Sequence, residues 1–440
     1  MSDATPPRST GTPGRLLLWG GRVVGADGEP EPADILIEDG HIAAMDEEIE
    51  ALESASVDCR RCLIVPALVD IHVHLREPGQ THKETVETGC RAAQAGGVGA
   101  LVCMPNTDPL LARPDDVEFV LERAAQLGRG VHVMVAGSVL PCRGAAELSD
   151  LAALARAGCV ALSDDGFSLQ DRELAREALA GCAEVGLPFF AHCEDEALSA
   201  SAGVLDTATG TEERLTTSCR AEVVAVERNI ELADDTGARL HILHISVAES
   251  VDLLRQAKAD GIRVTAEACP HHFTLTGEAL LEQGSLAKMS PPLRRPRDVR
   301  AVTQGLLDGT IDIIASDHAP HTADEKARGL EAAPAGIVGL ETMAALAYTA
   351  LCERHDLGLD EFLRRLAGAP AALVGATVPS LEAGAPARLA VFRPGEWTID
   401  EDWFLGKGRN TPFIGYPVTL RPWVTVLEHA LFSATSVSPH

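Results

Sequence analysis

The sequence predicts an α/β protein, a (β/α)8 TIM-like barrel joined to a small β-sandwich domain built from the N- and C-terminal segments. Three observations lead there. Strand-length apolar runs alternate with helix-length amphipathic segments through the middle of the chain, eight strands over roughly 300 residues, the size of one barrel. Both ends carry short apolar runs punctuated by Gly-Gly, Asp-Gly and Pro, the pattern of small antiparallel strands. No Gly-x-Gly-x-x-Gly opens the first crossover, as it would in a dinucleotide-binding open sheet.

Residues 1–14, rich in Pro, Ser, Thr and Gly and without periodicity, are expected to be a disordered tail. Short strands are predicted over 15–24, 33–37 and 41–45, and again over 387–392 and 423–427, so residues 15–64 and 376–440 are assigned to the small β domain. The barrel occupies 65–375. Its strands are predicted at 64–75, 100–104, 131–137, 160–163, 188–192, 240–245, 263–268 and 311–316. Helical spacing of apolar residues marks 83–94, 114–127, 171–185, 220–235 and 248–259.

Composition excludes several function classes. Lys plus Arg number 37 against 65 Asp plus Glu, a formal charge of −28 that repels nucleic acid and anionic membranes. Only five of the basic residues are lysines, so an anionic substrate has to be met by locally placed arginine. No apolar run approaches the roughly 18 residues that span a bilayer, and the start lacks a basic-then-apolar signal, which places the chain in the cytoplasm. Eleven cysteines, an odd number, read as small core residues in a reducing compartment rather than a disulfide framework, none of them a preferred metal ligand.

In such a barrel the chemistry sits at the C-terminal strand ends. The first strand ends in His72 and His74, which alternation aims to one side, the fourth in Asp164 and Asp165, the fifth in His192, the sixth in His244 and the eighth in Asp317. One such histidine is most often structural; nitrogen and oxygen ligands at five of eight strand ends read together as a metal site. Two divalent ions ~3.5–4 Å apart, bridged by a carboxylate, can activate water near neutral pH.

The motifs around these residues resemble those of the amidohydrolase superfamily, and within it the long-chain bacterial dihydroorotases. They include Asp-Ile-His-Val-His-Leu-Arg-Glu-Pro-Gly (70–79), Met-Pro-Asn-Thr (104–107), Ser-Asp-Asp-Gly (163–166), Ala-His-Cys-Glu-Asp (191–195), His-Ile-Ser (244–246), Pro-His-His (270–272), Pro-Pro-Leu-Arg (291–294), Ser-Asp-His-Ala-Pro-His (316–321), Gly-Ile-Val-Gly-Leu-Glu-Thr (336–342) and Asn-Thr-Pro-Phe-Ile-Gly (410–415). They run in the family's order from about residue 15 to 430.

The resemblance implies reversible, metal-dependent cyclisation of N-carbamoyl-L-aspartate to L-dihydroorotate, a step of pyrimidine synthesis. It implies that His72, His74 and Asp317 hold one ion and His192 and His244 a second, with a fourth-strand carboxylate between them. Many relatives bridge with a carbamylated lysine, but no lysine occurs between Lys83 and Lys258. Asp165 takes that place, with Asp164 supporting it or capping the turn. One or two Zn2+ per subunit are implied, two favoured, and cobalt or manganese are alternatives. Asp317 is then the catalytic proton carrier. Arg76, Asn106 and His321 match the family's substrate contacts, although Asn106 could equally close the Asn-Thr-Asp-Pro turn and Arg76 could pair with Glu77. His271 and His272 match a family pattern but are not ligands there, and are taken as supporting or structural; His41, His82, His132, His241, His355, His429 and His440 have no supporting context.

Two departures touch the substrate loops. Ser290 stands where the family usually has Asn, and Ala335 where an aromatic is common. The rival readings are a hydantoinase- or allantoinase-like cyclic amidase, against which the missing lysine and Arg76 speak, and a non-catalytic partner of aspartate transcarbamoylase, against which the complete ligand set speaks. A small-molecule substrate, a homodimer and a complex of the active enzyme with that transcarbamoylase are expected from the resemblance.

Overall fold

The computed structural model describes residues 8–25, 27–50, 54–202, 212–435 and 437–439. Among these residues the strands form two sheets. The first, mostly antiparallel, follows the order β1 (Arg8–Gly11), β17 (Ala430–Ser433), β16 (Pro417–Leu427), β15 (Arg388–Thr398), β6 (Leu63–Pro66), β2 (Arg15–Val24), β3 (Pro30–Glu38) and β4 (His41–Asp46), with β5 (Ala55–Asp58) on β2 and β18 (Ser438–Pro439) on β5. The two ends of the chain thus complete one sheet, through β15 against both β6 and β16. Its buried face, with Leu16, Leu18, Ile35, Ile37, Val57, Val391 and Val424, is a core of its own.

The second sheet is parallel and runs in sequence order from β7 (Leu68–Val73) through β8 (Val98–Cys103), β9 (His132–Ser138), β10 (Cys159–Ser163), β11 (Phe189–Ala191), β12 (Leu240–Ile242) and β13 (Val264–Ala268) to β14 (Ile313–Ile314). Closure comes from His318, which bridges in parallel to both Val73 and Ile337 and whose carbonyl accepts the His74 N–H at 2.9 Å. The barrel is therefore nearly closed. Alternate residues divide as a two-faced strand requires: Leu101, Val133, Val135 and Leu162 join the core beneath the helices, while Val102, Met104, Met134, Ala136, Ala161 and Phe190 form a separate cluster.

Local signals place the outer helices. Thr85 and Thr88 form a reciprocal capping box on Val86–Ala95. Pro at the first turn starts Pro114–Leu127. Asp171 caps Arg172–Val185, which stops at Gly186 in the left-handed conformation.

Some expectations differ from the fold. The predicted disordered tail reached Gly14, yet Arg8–Gly11 pairs with β17; residues 1–7 of that tail lie outside the described residues. The apolar run 64–75 is two strands, because at Ala67 and Leu68 the backbone passes from Arg388 of one sheet to Gly97 of the other. Strands β11, β12 and β14 are shorter than predicted. Beyond them the chain leaves the ladder to aim polar side chains, with His244 and Asp317 at φ of 33° and 46°, values that non-glycine residues seldom hold. The helices Leu151–Arg156 and Pro296–Leu307 were not predicted.

Candidate metal centre and substrate pocket

The six predicted ligands meet at the C-terminal mouth of the barrel. His72 Nε2 lies 3.6 Å from Asp165 Oδ1 and 3.5 Å from Asp317 Oδ1. His74 Nε2 lies 3.6 Å from Asp165 Oδ2 and 3.2 Å from Asp317 Oδ1. On the other side His192 Nδ1 is 3.7 Å from Asp165 Oδ1 and 3.0 Å from His244 Nε2. Two atoms each ~2.1 Å from one ion at a tetrahedral angle stand ~3.4 Å apart, so these spacings are those of ligands sharing a metal. His72, His74 and Asp317 form one compact group and His72, Asp165 and His244 another, all buried. Asp165 is common ground between the two histidine pairs.

The donor set fits a divalent cation on a further ground. His72 Nε2, the ring nitrogen that faces Asp165 and Asp317, is buried with no hydrogen-bond partner, a costly state unless something is bound. Burial works against charge on Asp165, but the positive charges of His74, His72 and His192 around it outweigh burial and hold the carboxyl well below its ordinary range. It stays a carboxylate, the form that ligates. Asp164 is occupied otherwise: its oxygens accept the backbone N–H groups of His192 and Leu169 at 2.8 and 2.9 Å, and burial raises its pKa to about 6. It fixes the ligand loops from behind.

Partners behind the ligands set their orientation. Glu267, on β13 and fully buried, takes the His72 Nδ1 proton donor at 2.5 Å, His241 Nε2 at 3.2 Å and the His244 backbone N–H at 3.3 Å. Burial opposes its charge, yet the two histidines hold its pKa down to about 2. Asn106 Oδ1 accepts from His74 Nδ1 at 2.7 Å while its amide donates to Asp165 Oδ2 at 3.1 Å. Glu194 accepts from His192 Nε2 at 3.3 Å. Asp70 accepts the N–H groups of His72 and Ser316, both at 3.2 Å, tying β7 to the loop after β14. Glu267, Glu194 and His241 were missed from sequence. The available signal was a glutamate inside the apolar run 263–268, which only a buried partner can justify.

Arg76 is buried beside the same centre. Its φ is 60°, so it is turned in by a left-handed kink after β7 rather than by strand alternation. Its Nε donates to Pro320 O at 3.3 Å, and its Nη2 lies 3.4 Å from His321 Nε2. Glu77 is engaged elsewhere, accepting from Arg123 and from the Val86 N–H, and no ion pair neutralises Arg76 among the described residues. His321 Nε2 donates to Ala335 O at 2.8 Å; burial and the charge of Arg76 depress its pKa to about 3, so the ring is neutral. The residue at 335 thus contributes through its backbone, whatever its side chain. A cavity of about 340 Å³ is lined by Glu194, Met289, Ser290, Pro292 and Ala335, and a small cleft sharing Glu194 and Ser290 reaches His192. Among the described residues no helix is long and apolar enough to cross a membrane.

A barrel whose strand ends gather histidines and aspartates in this way defines a hydrolase of the amidohydrolase class. A family model described as Dihydro-orotase-like matches residues 61–250. The chain is 41% identical over 419 residues to the dihydroorotase of Pelotomaculum thermopropionicum, covering 94% of this chain and 97% of that one. It is 42% identical over 405 residues to the dihydroorotase of Geobacillus kaustophilus, covering 91% and 94%. The chain belongs to the dihydroorotase family. In fold it is similar to the L-hydantoinase of Arthrobacter aurescens (TM-score 0.79, 24% identity, 96% of this chain and 95% of that one) and to the dihydropyrimidinase of Brevibacillus agri (TM-score 0.78, 21% identity, 95% and 94%).

Proposed function

We propose that the protein catalyses the reversible interconversion of N-carbamoyl-L-aspartate and L-dihydroorotate, with His72, His74, Asp165, His192, His244 and Asp317 as metal ligands and zinc, two ions per subunit, as the cofactor. The observation that carries the choice of substrate is Arg76, a buried guanidinium beside the ligand cluster with no carboxylate partner among the described residues. Hydantoin and dihydrouracil rings lack the carboxylate that this fork matches. The divalent metal, when bound, polarises the amide carbonyl and lowers the pKa of water at the site.

The chain's own residues do the rest. Arg76 takes the ring carboxylate, with Asn106 and His321 beside it; neutral His321 offers Nδ1, which lies 3.6 Å from Glu325 Oε2. Asp317 Oδ1, 3.2 Å from His74 Nε2 and 3.5 Å from His72 Nε2, holds the proton taken from water and delivers it to the leaving ring nitrogen; ring closure reverses the transfer. Glu267 and Glu194 keep His72 and His192 turned toward the centre. The chain is read as two units, 15–64 with 376–440 and 65–375, working in the cytoplasm as a homodimer and able to dock on aspartate transcarbamoylase.

The test is a comparison of ring hydrolysis among L-dihydroorotate, dihydrouracil and hydantoin by the zinc-loaded protein. Dihydroorotate should be favoured in kcat/KM by at least about 100-fold, the worth of one charge-assisted fork. Equal or faster opening of hydantoin would transfer the reading to the cyclic amidases.

A further inference from the structure

We propose that Cys269, His271 and His272 form an additional site for a borderline-soft divalent cation of the zinc or cobalt type, separate from the catalytic ligands. One donor atom from each of the three lies within 4.8 Å of the other two, and all three side chains are buried. The local chain explains the convergence. Strand β13 ends at Ala268, Cys269 stands at the N-cap of the short helix Pro270–Thr274 without a side-chain capping bond, and the two histidine rings follow in its first turn, edge to face with centroids 4.3 Å apart.

The second observation is a pair of buried ring nitrogens without partners. His272 spends Nε2 on Pro291 O at 3.0 Å, so its Nδ1 is the unprotonated nitrogen, and that atom is buried without a partner. His271 Nε2 is likewise buried and unpartnered. Leaving such atoms unsatisfied is costly, and the free lone pair of His272 beside the unpartnered His271 ring points to a ligand that accepts lone pairs, which a cation does and a carbonyl cannot. Both rings are kept neutral by burial, the state in which imidazole ligates. A thiolate with two imidazoles selects zinc-like ions over magnesium or calcium.

Burial, together with Asp317, Glu267, Asp70 and Asp165, opposes a bare thiolate at Cys269, so the thiol proton is released to solvent only as the metal–sulfur bond forms. Ligands of a tetrahedral ion stand ~3.4–3.8 Å apart, so a contraction of under ~1.5 Å closes the site. Through His272 and Pro291 the ion would tie the end of β13 to the loop carrying Ser290 on the cavity wall. This revises the reading in which no cysteine was a metal ligand and both histidines were merely supporting.

The test is cobalt substitution. The wild-type protein is stripped with a chelator, reloaded with Co2+ and examined for the thiolate-to-cobalt charge-transfer band, with metal per chain measured in parallel. The catalytic ligands are all histidine and aspartate, so such a band reports a cysteine site alone, and it is read without turnover and independently of which ring the enzyme opens. The expected result is a band in the wild type that disappears in Cys269→Ser, with one metal per chain fewer in that variant and in His271→Ala. A cobalt-loaded wild type without the band overturns the proposal even if the variants fail to fold, as does a band that survives in Cys269→Ser.

Discussion

Replacing Glu267 by glutamine should loosen metal binding while leaving the fold in place. Glu267 is fully buried and serves three donors at once: His72 Nδ1 at 2.5 Å, His241 Nε2 at 3.2 Å and the His244 backbone N–H at 3.3 Å. Glutamine preserves the volume but keeps one acceptor oxygen and replaces the other with a donor, so either His72 or His241 faces an amide N–H and must change tautomer or move. A hydrogen bond to a charged group is worth about 1.5–3 kcal/mol, or roughly 10- to 150-fold in an equilibrium constant. That agrees with the 10- to 100-fold loss of metal affinity usual when a carboxylate behind a metal-binding histidine is removed. Competition against a chelator of known affinity, with circular dichroism to verify folding, gives the number. Glu267→Gln should bind zinc about 10- to 100-fold more weakly and recover most of its turnover at saturating metal. Wild-type affinity in a folded variant would show that His72 does not depend on this carboxylate and would refute the reasoning.

Arg76→Lys keeps the charge but loses the planar fork, so kcat/KM for L-dihydroorotate should fall by about 10- to 100-fold, mainly through KM, while metal content is unchanged. Gly79 has φ of 82°, and a Cβ there would sit 1.8 Å from Asp108 O. Gly79→Ala must therefore displace the loop after Arg76, lowering the melting temperature and raising KM together. Glu325 caps Thr322 and pairs with Lys83 at 3.2 Å; burial opposes its charge, but these partners lower its pKa from 4.5 to about 2. Because the folded-state value is depressed, its contribution is full above about pH 4.5 and is lost as pH falls toward 2. Glu325→Gln should be less stable than the wild type by about 1 kcal/mol in urea at pH 7, with the difference vanishing near pH 2.

The barrel and its strand-end residues were legible because both follow from local rules: apolar runs of strand length, and polar residues where those runs stop. The fold then brings His72 and Asp317, distant in the chain, to 3.5 Å. What escaped depends on long-range pairing. Glu267 reads as one polar residue in an apolar strand until His72, 195 positions earlier, is placed against it. Barrel closure through His318 and Ile337 involves single bridges with no periodicity to detect. Arg8–Gly11 becomes a strand because β17 offers it an edge, a fact held by the far end of the chain. Arg76 stood out as a match to the family's substrate contacts, but how it faces the site was not readable: β7 ends at Val73, and a left-handed residue turns the guanidinium inward.

The measurement that bears most directly on the proposed centre is turnover in both directions, L-dihydroorotate opening and N-carbamoyl-L-aspartate closing, by zinc-loaded wild type and by Asp165→Ala. Asp165 lies 3.6 Å from both His72 Nε2 and His74 Nε2 and 3.7 Å from His192 Nδ1, so its loss should remove the carboxylate proposed to be shared by both ions. Turnover both ways in the wild type, lost by at least about 1000-fold with reduced metal content in the variant, is the predicted result. An Asp165→Ala protein that keeps its metal and its rate would contradict the bridging role, and a metal-loaded wild type inert toward both compounds would contradict the assigned reaction.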